Sequence, residues 1–307
     1  MEKRKIGSLE VSLAGLGCNN FGWRIDAAQT AQVVGAAIDA GVNFFDTADM
    51  YSTGQSEEYL GRALGARRKQ VLVATKFGLP MDEKRKGAKP AYVRQAVEDS
   101  LRRLGTDYID LYQLHHPDKE TPIADTLGAL DELVRAGKVR EIGCSNFSRD
   151  QLLEAAAGVK TGAARFVSVQ NNYSLLHREP EPEVLPECVR QGLGFLPFFP
   201  LANGLLSGKY RAGQNMPAGS RGADGFGPKL FTDANLAIVE KLIAFAESRG
   251  HSMLDLAESW LASQPAVVSV IAGAKTPEQV RTNAAAVSWK LTADELKAID
   301  AIAPRAA

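Results

Sequence analysis

Short apolar runs alternate with amphipathic stretches along most of this 307-residue chain. A brief apolar run flanked by turn residues reads as a strand buried on both faces. Apolar positions recurring at i, i+3 and i+4 read as the helix that covers it. The pattern predicts eight strands, at residues 13–17, 43–46, 71–76, 109–115, 140–145, 166–170, 194–198 and 268–273. Strands and helices alternating in this way build a parallel sheet from βα units. Eight units predict an α/β architecture, the (β/α)8 TIM barrel. Ahead of the first unit, RKIGSLEVSL reads as a β-hairpin turning at Gly7-Ser8. Residues 1–307 are expected to form one domain.

Boundary residues support the intervening helices. Asp26 can cap the first and Gly41 can end it. In the third, Val93, Ala96, Val97, Leu101 and Leu104 share one face and Gly105 follows. Ser148 with Gln151, Thr276 with Gln279, and Thr292 with Glu295 each fit a capping box, and Pro277 suits a first turn. Residues 201–231 are too rich in Gly, Pro, Ser and Arg for a regular element, and a connection of that length usually has a function. Two helices near 233–249 and 253–263 follow it, so extra helices are expected after strand seven and at the C-terminus.

Composition narrows the function classes. Lys plus Arg and Asp plus Glu both number 36, which leaves no basic footprint for nucleic acid or a membrane surface. The charged run at 82–89 is mixed in sign and reads as a solvated loop. The N-terminus lacks the apolar core of a secretion signal, and the most apolar window, GLGFLPFFPLANGLLSG, is too interrupted to cross a bilayer. Cys18, Cys144 and Cys188 are widely spaced and odd in number, which argues for a reducing cytoplasm.

The candidate chemistry lies at the strand ends, where barrels place active sites. Asp46, Lys76, His115, Ser145-Asn146 and Gln170 end the second to sixth strands, about one βα unit apart, so they should converge on one rim. An ionisable residue there costs several kcal/mol unless paired. Alone, Asp46 and Lys76 would be a structural ion pair and His115 a hydrogen-bonded core histidine. Neighbouring strand residues face opposite ways, which argues against a metal site from His115, His116 and Asp118. Tyr51, in FFDTADMYSTG just after Asp46, changes the reading. A phenol titrates near ~10, and a nearby ammonium lowers that value. A Tyr–Lys–Asp chain is thus a device for protonating a carbonyl oxygen.

The motifs NFFDTADMYSTG, VLVATKFG, YIDLYQLHHPD, IGCSNF, VQNNYS, PLANGLLSGKY and IAGAKTPEQV, in this order, resemble the aldo-keto reductase superfamily from the first hairpin to the last helix. The resemblance implies a catalytic tetrad of Asp46, Tyr51, Lys76 and His115. It also implies hydride transfer between NADPH/NADP+ and a small aldehyde or ketone.

No dinucleotide fingerprint is present, since Asn20 stands where Gly15-x-Gly17 would need its third glycine. Barrels instead bind phosphate beyond the last two strands. Candidates there are Phe199, Pro200, Leu201, Asn203, Gly204, Lys209 and Arg221 after strand seven, and Gly273 and Lys275 after strand eight. Gln279 and Asn283, one turn apart on the next helix, can reach an adenosine. The resemblance implies that Ser145, Asn146 and Gln170 hold the carboxamide and that Phe198 stacks on the nicotinamide. The family more often has Tyr or Trp at the latter place, and Glu at Thr282. Trp23, Phe77 and His116 are expected to form the substrate wall. Potassium-channel beta subunits share these motifs, so an NADPH-binding sensor with little turnover is the alternative. A Schiff-base lyase using Lys76 would need neither Tyr51 nor a dinucleotide loop.

Overall fold

The computed structural model describes residues 1–211, 213–217, 220, 222–223 and 230–305. β1 (Lys3–Ile6) and β2 (Leu9–Ser12) pair antiparallel with Ile6 opposite Leu9, as the hairpin pattern requires. Eight strands follow: β3 (Ala14–Gly17), β4 (Phe44–Asp46), β5 (Leu72–Phe77), β6 (Ile109–Leu114), β7 (Val139–Ser145), β8 (Phe166–Asn172), β9 (Gly194–Phe198) and β10 (Val270–Gly273). They run parallel in the order β10-β3-β4-β5-β6-β7-β8-β9. The ring is completed at Phe195, whose N–H donates to Ala266 O at 2.7 Å and whose carbonyl accepts from Val268 N at 3.1 Å. The fold is a (β/α)8 TIM barrel.

Strand alternation divides the apolar residues into two cores. Phe44, Ala74, Leu111, Val167, Leu196 and Ile271 point into the barrel and pack with Ile6, Leu9 and Val11 of the hairpin. Arg4 Nη1 donates to Val267 O at 2.6 Å and Ser8 N donates to Glu141 Oε1 at 2.7 Å. The hairpin thus closes the end of the barrel where the strands begin. Val73, Phe77, Tyr112 and Leu114 point outward and join the larger core beneath the helices. Burying each such side chain stabilises the fold by roughly 1.5–3 kcal/mol.

The covering helices are α1 (Ala27–Asp39), α2 (Gln55–Leu64), α3 (Pro90–Leu104), α4 (Ile123–Arg135), α5 (Arg149–Ala157), α6 (Val184–Gln191), α8 (Met253–Ala262) and α9 (Pro277–Ala286). Two further helices, α7 (Asp233–Glu247) and α10 (Ala293–Ile302), pack on one another. Reciprocal capping boxes start α1 at Asp26 and Gln29, α5 at Ser148 and Gln151, and α10 at Thr292 and Glu295. Gly105 ends α3 in the left-handed region at φ 63°. The expected box at α9 is only half formed. Thr276 accepts from Gln279 N, but the Gln279 side chain takes the Lys275 N–H at 2.7 Å instead of its own cap. No helix among the described residues is long and apolar enough to cross a membrane.

Candidate active site

Asp46 is the last residue of β4 and the hub of the barrel mouth. Its Oδ2 accepts from Lys76 Nζ at 2.6 Å, and its Oδ1 accepts from Gln113 Nε2 at 3.2 Å and Gln170 Nε2 at 3.0 Å. Lys76 Nζ also donates to Thr47 O at 2.8 Å. Lys76 is fully buried and Asp46 nearly so. Only the full set of partners makes such a dry pair tolerable. Burial works to lower the Lys76 pKa, but the charge and hydrogen bond of Asp46, together with Tyr51, outweigh it and hold the ammonium above its ordinary value.

Tyr51 opens a short 3-10 turn, Tyr51–Gly54, that follows β4. Lys76 Nζ lies 5.3 Å from its ring centroid, and the His115 ring meets it edge-on at 5.9 Å. The acidity of Tyr51 departs from the sequence expectation. Desolvation raises its pKa above 10.0; Lys76 opposes this and Asp46 adds to it. The expected lowering by Lys76 therefore does not win, because desolvation of the phenolate outweighs it and the Asp46 charge adds to that.

β6 stops at Leu114, one residue short of the predicted end, and His115 follows with its N–H on Phe77 O at 2.8 Å. Burial, then Lys76 and His116, pushes its imidazole down to about 3. It is neutral at physiological pH. Its Nδ1 is buried with no hydrogen-bond partner. Asn146 Nδ2 donates to His115 O and to Ser145 Oγ, both at 3.0 Å, and Ser145 Oγ donates to Gln170 O at 2.8 Å. Asn146 adopts φ 62°, which turns its side chain back across the strand ends.

A cleft of about 530 Å³ runs from these residues over β9 and β10, within the usual range for a small-molecule site. Ser145, Asn146, Gln170, Phe198, Phe199, Pro200, Leu201, Asn203, Gly204, Lys209, Gly273, Lys275, Gln279 and Asn283 all line it, as sequence reading expected. Arg221 lies outside the described residues. After β9, Phe199, Ala202 and Asn203 take positive φ of 51°, 45° and 58°. Each costs about 1–3 kcal/mol, a strain that collects at functional loops.

Of the expected substrate wall, Phe77 is turned away from the mouth of the barrel. Phe77 follows Lys76 on β5 and so points the other way, fully buried and stacked on Tyr112 at 4.7 Å. Trp23 is 53% exposed beside Arg24, whose guanidinium lies 4.4 Å over the indole. His116 is exposed beyond the strand. None of the three lines the cleft; Asn20, Arg24, Ser220, Leu254 and Glu278 do. Gln113 was also missed, although it sits on the same strand face as His115, one alternation earlier. Leu254 carries no local signal, since helical periodicity alone marks it as core.

With the geometry in place, the comparisons agree on a class of protein. The Aldo/keto reductase family model matches residues 14–304. The chain belongs to the Aldo/keto reductase family, a family of oxidoreductases. It is 34% identical over 320 residues to an uncharacterised oxidoreductase of Bacillus subtilis, covering 99% of this chain and 96% of that one. It is 30% identical to versiconal hemiacetal acetate reductase of Aspergillus parasiticus, covering 98% and 96%. The solved glycerol dehydrogenase of Gluconobacter oxydans superposes with a TM-score of 0.84 at 33% identity, covering 98% of this chain and 94% of that one.

Proposed function

We propose that this chain reduces aldehydes or ketones to alcohols with NADPH, Tyr51 acting as the general acid. The observation that carries the reading is the Asp46–Lys76–Tyr51 chain opening into the cleft beside a neutral His115. The donor set suits a phosphorylated dinucleotide. Ser145, Asn146 and Gln170 offer amide and hydroxyl groups for a carboxamide, and Phe198 offers an aromatic face. Lys209, Lys275 and the capped start of α9 offer positive charge for phosphates. Bound there, the cofactor would supply the hydride.

The residues of the chain then handle the proton. Tyr51 is protonated at neutral pH, as any phenol is, and desolvation holds that proton more firmly, so it can hydrogen-bond the carbonyl oxygen as donor. An alkoxide is a far stronger base than a phenolate, so the proton moves as charge develops on that oxygen. Lys76 stabilises the phenolate left behind, and Asp46 with Gln113 and Gln170 holds Lys76 in place. His115, uncharged, orients the carbonyl without competing for the proton. Among the relatives, one is named a reductase and another a dehydrogenase, which supports carbonyl–alcohol interconversion.

The test is NADPH consumption with a panel of simple aldehydes and ketones, beside titrations of NADPH and NADH. Turnover with tighter binding of NADPH supports the proposal. Binding with no consumption for any carbonyl would instead favour the sensor alternative.

A further inference from the structure

Beneath the turn that bears Tyr51 lies a second set of charges that the proposed chemistry does not use. Asp49 and Glu57 are 1% and 0% exposed. Glu57 is satisfied: Oε1 accepts from Thr75 Oγ1 and Oε2 from Arg103 Nε, both at 2.6 Å. Arg103 supports the turn directly. A Cβ on Gly54, the last residue of the turn, would fall 2.7 Å from Arg103 Cδ. The turn itself is strained, with Ser52 and Thr53 at φ 49° and 55°. Asp49 enters it from the strand side, donating its N–H to Lys76 O at 3.1 Å, while its Oδ1 is buried with no hydrogen-bond partner.

A charge count decides the state of this cluster. The dry region beneath Tyr51 holds three carboxyl groups, Asp46, Asp49 and Glu57, and two cations, Lys76 and Arg103. Lys76 is paired with Asp46 and Arg103 with Glu57. Asp49 has no cation of its own, and a lone buried carboxylate is avoided by keeping the proton. The ionisable groups facing it come from every neighbouring element: Glu57 on α2, Tyr92 and Arg103 on α3, Lys76 on β5 and Tyr112 on β6. Both phenols are held protonated by burial. Burial, then Glu57, pushes the Asp49 carboxyl up to about 7, against the pull of Arg103, a hydrogen bond from the Met50 backbone N–H, and Lys76.

We infer that Asp49 is a positioning residue for the proposed reaction: a carboxyl that keeps its proton beneath the turn leaves the Lys76–Tyr51 pair undisturbed, and loss of that proton slows reduction. The ionised form would place an unpaired negative charge under the turn. It would also draw on Lys76 and so strengthen the hold of Tyr51 on its own proton. The inference rests on Tyr51 being the acid.

The experiment is a pH profile of kcat and KM for wild type and Asp49→Asn, with isotope-edited infrared titration of the aspartyl carboxyls in both. Expected is an alkaline limb near neutrality in wild-type kcat, falling about tenfold per pH unit, with KM little changed. Asp49→Asn should lack that limb and lose one carboxyl band that titrates near neutrality, yet match the wild-type rate at low pH within about threefold. A limb that persists in Asp49→Asn overturns the inference. So does a wild-type carboxyl spectrum with no band above the ordinary carboxylate range, a result that needs no variant to fold and leaves the role of Tyr51 standing. Absence of turnover at every pH would instead sink the reading of Tyr51, and this inference with it.

Discussion

The floor of the cleft and its rim are built in opposite ways. On the floor, Asp46, Lys76, Gln113 and Gln170 sit on four strands, fully or nearly fully buried, and bond to one another at 2.6–3.2 Å. On the rim, Lys209 is exposed and Lys275 half-buried, and they sit on loops, one of which spends backbone strain at Phe199, Ala202 and Asn203. The floor is fixed by the sheet and can hold charge in a dry place. The rim meets water, so its charges are screened and individually weak. Reaction chemistry should therefore depend steeply on single floor residues, and cofactor affinity should be spread over many rim residues.

Substitutions can break that contrast. Lys76→Met leaves Asp46 buried without its cation; stability should fall by about 3–5 kcal/mol, read by denaturant unfolding, with turnover lost. Tyr51→Phe should reduce kcat by about 10²–10⁴-fold while the NADPH dissociation constant from fluorescence titration stays within a few-fold. A large loss of binding there would show that floor and rim are not separable. Lys275→Met should weaken NADPH roughly tenfold and leave NADH and kcat nearly unchanged, and the difference should shrink in high salt.

A pH measurement sharpens the picture of the floor. The folded His115 titrates near 3, below its ordinary 6.5. Between those values the unfolded chain binds a proton that the folded one refuses, so stability falls as pH drops through this window. His115→Asn should flatten the acid side of the stability profile by at most a few kcal/mol. The smallest effect belongs to the rim helix: Thr276→Ala removes the cap of α9 and should cost about 1 kcal/mol, seen as a lower midpoint with unchanged kcat.

The sequence was most legible where spacing does the work. Alternation and the βα period located the strands, the hairpin and the rim residues Asp46, Lys76 and His115. The tetrad and most of the cleft lining came from motifs. Phe77 was misplaced because the strand was expected to end at Lys76 and Phe77 to open a rim loop, whereas β5 runs through Phe77 and alternation turns it away from Lys76. Gln279 shows another limit: its spacing from Thr276 fits a capping box, but only the folded rim reveals that Lys275 N–H claims its side chain. The acidity of Tyr51 was misjudged because one pairwise attraction was considered without the desolvation and the Asp46 charge that accompany it. Arg24 and Leu254 reach the cleft only through tertiary folding.

The hairpin β1–β2 has a consequence for traffic. With Ile6, Leu9 and Val11 stoppering the barrel from below, molecules bound at the floor come and go through the open side alone. Under the proposed function, a dinucleotide seated at that floor would have to enter before the carbonyl compound and leave after the alcohol. Steady-state inhibition patterns would reveal that compulsory sequence as a queue with one door.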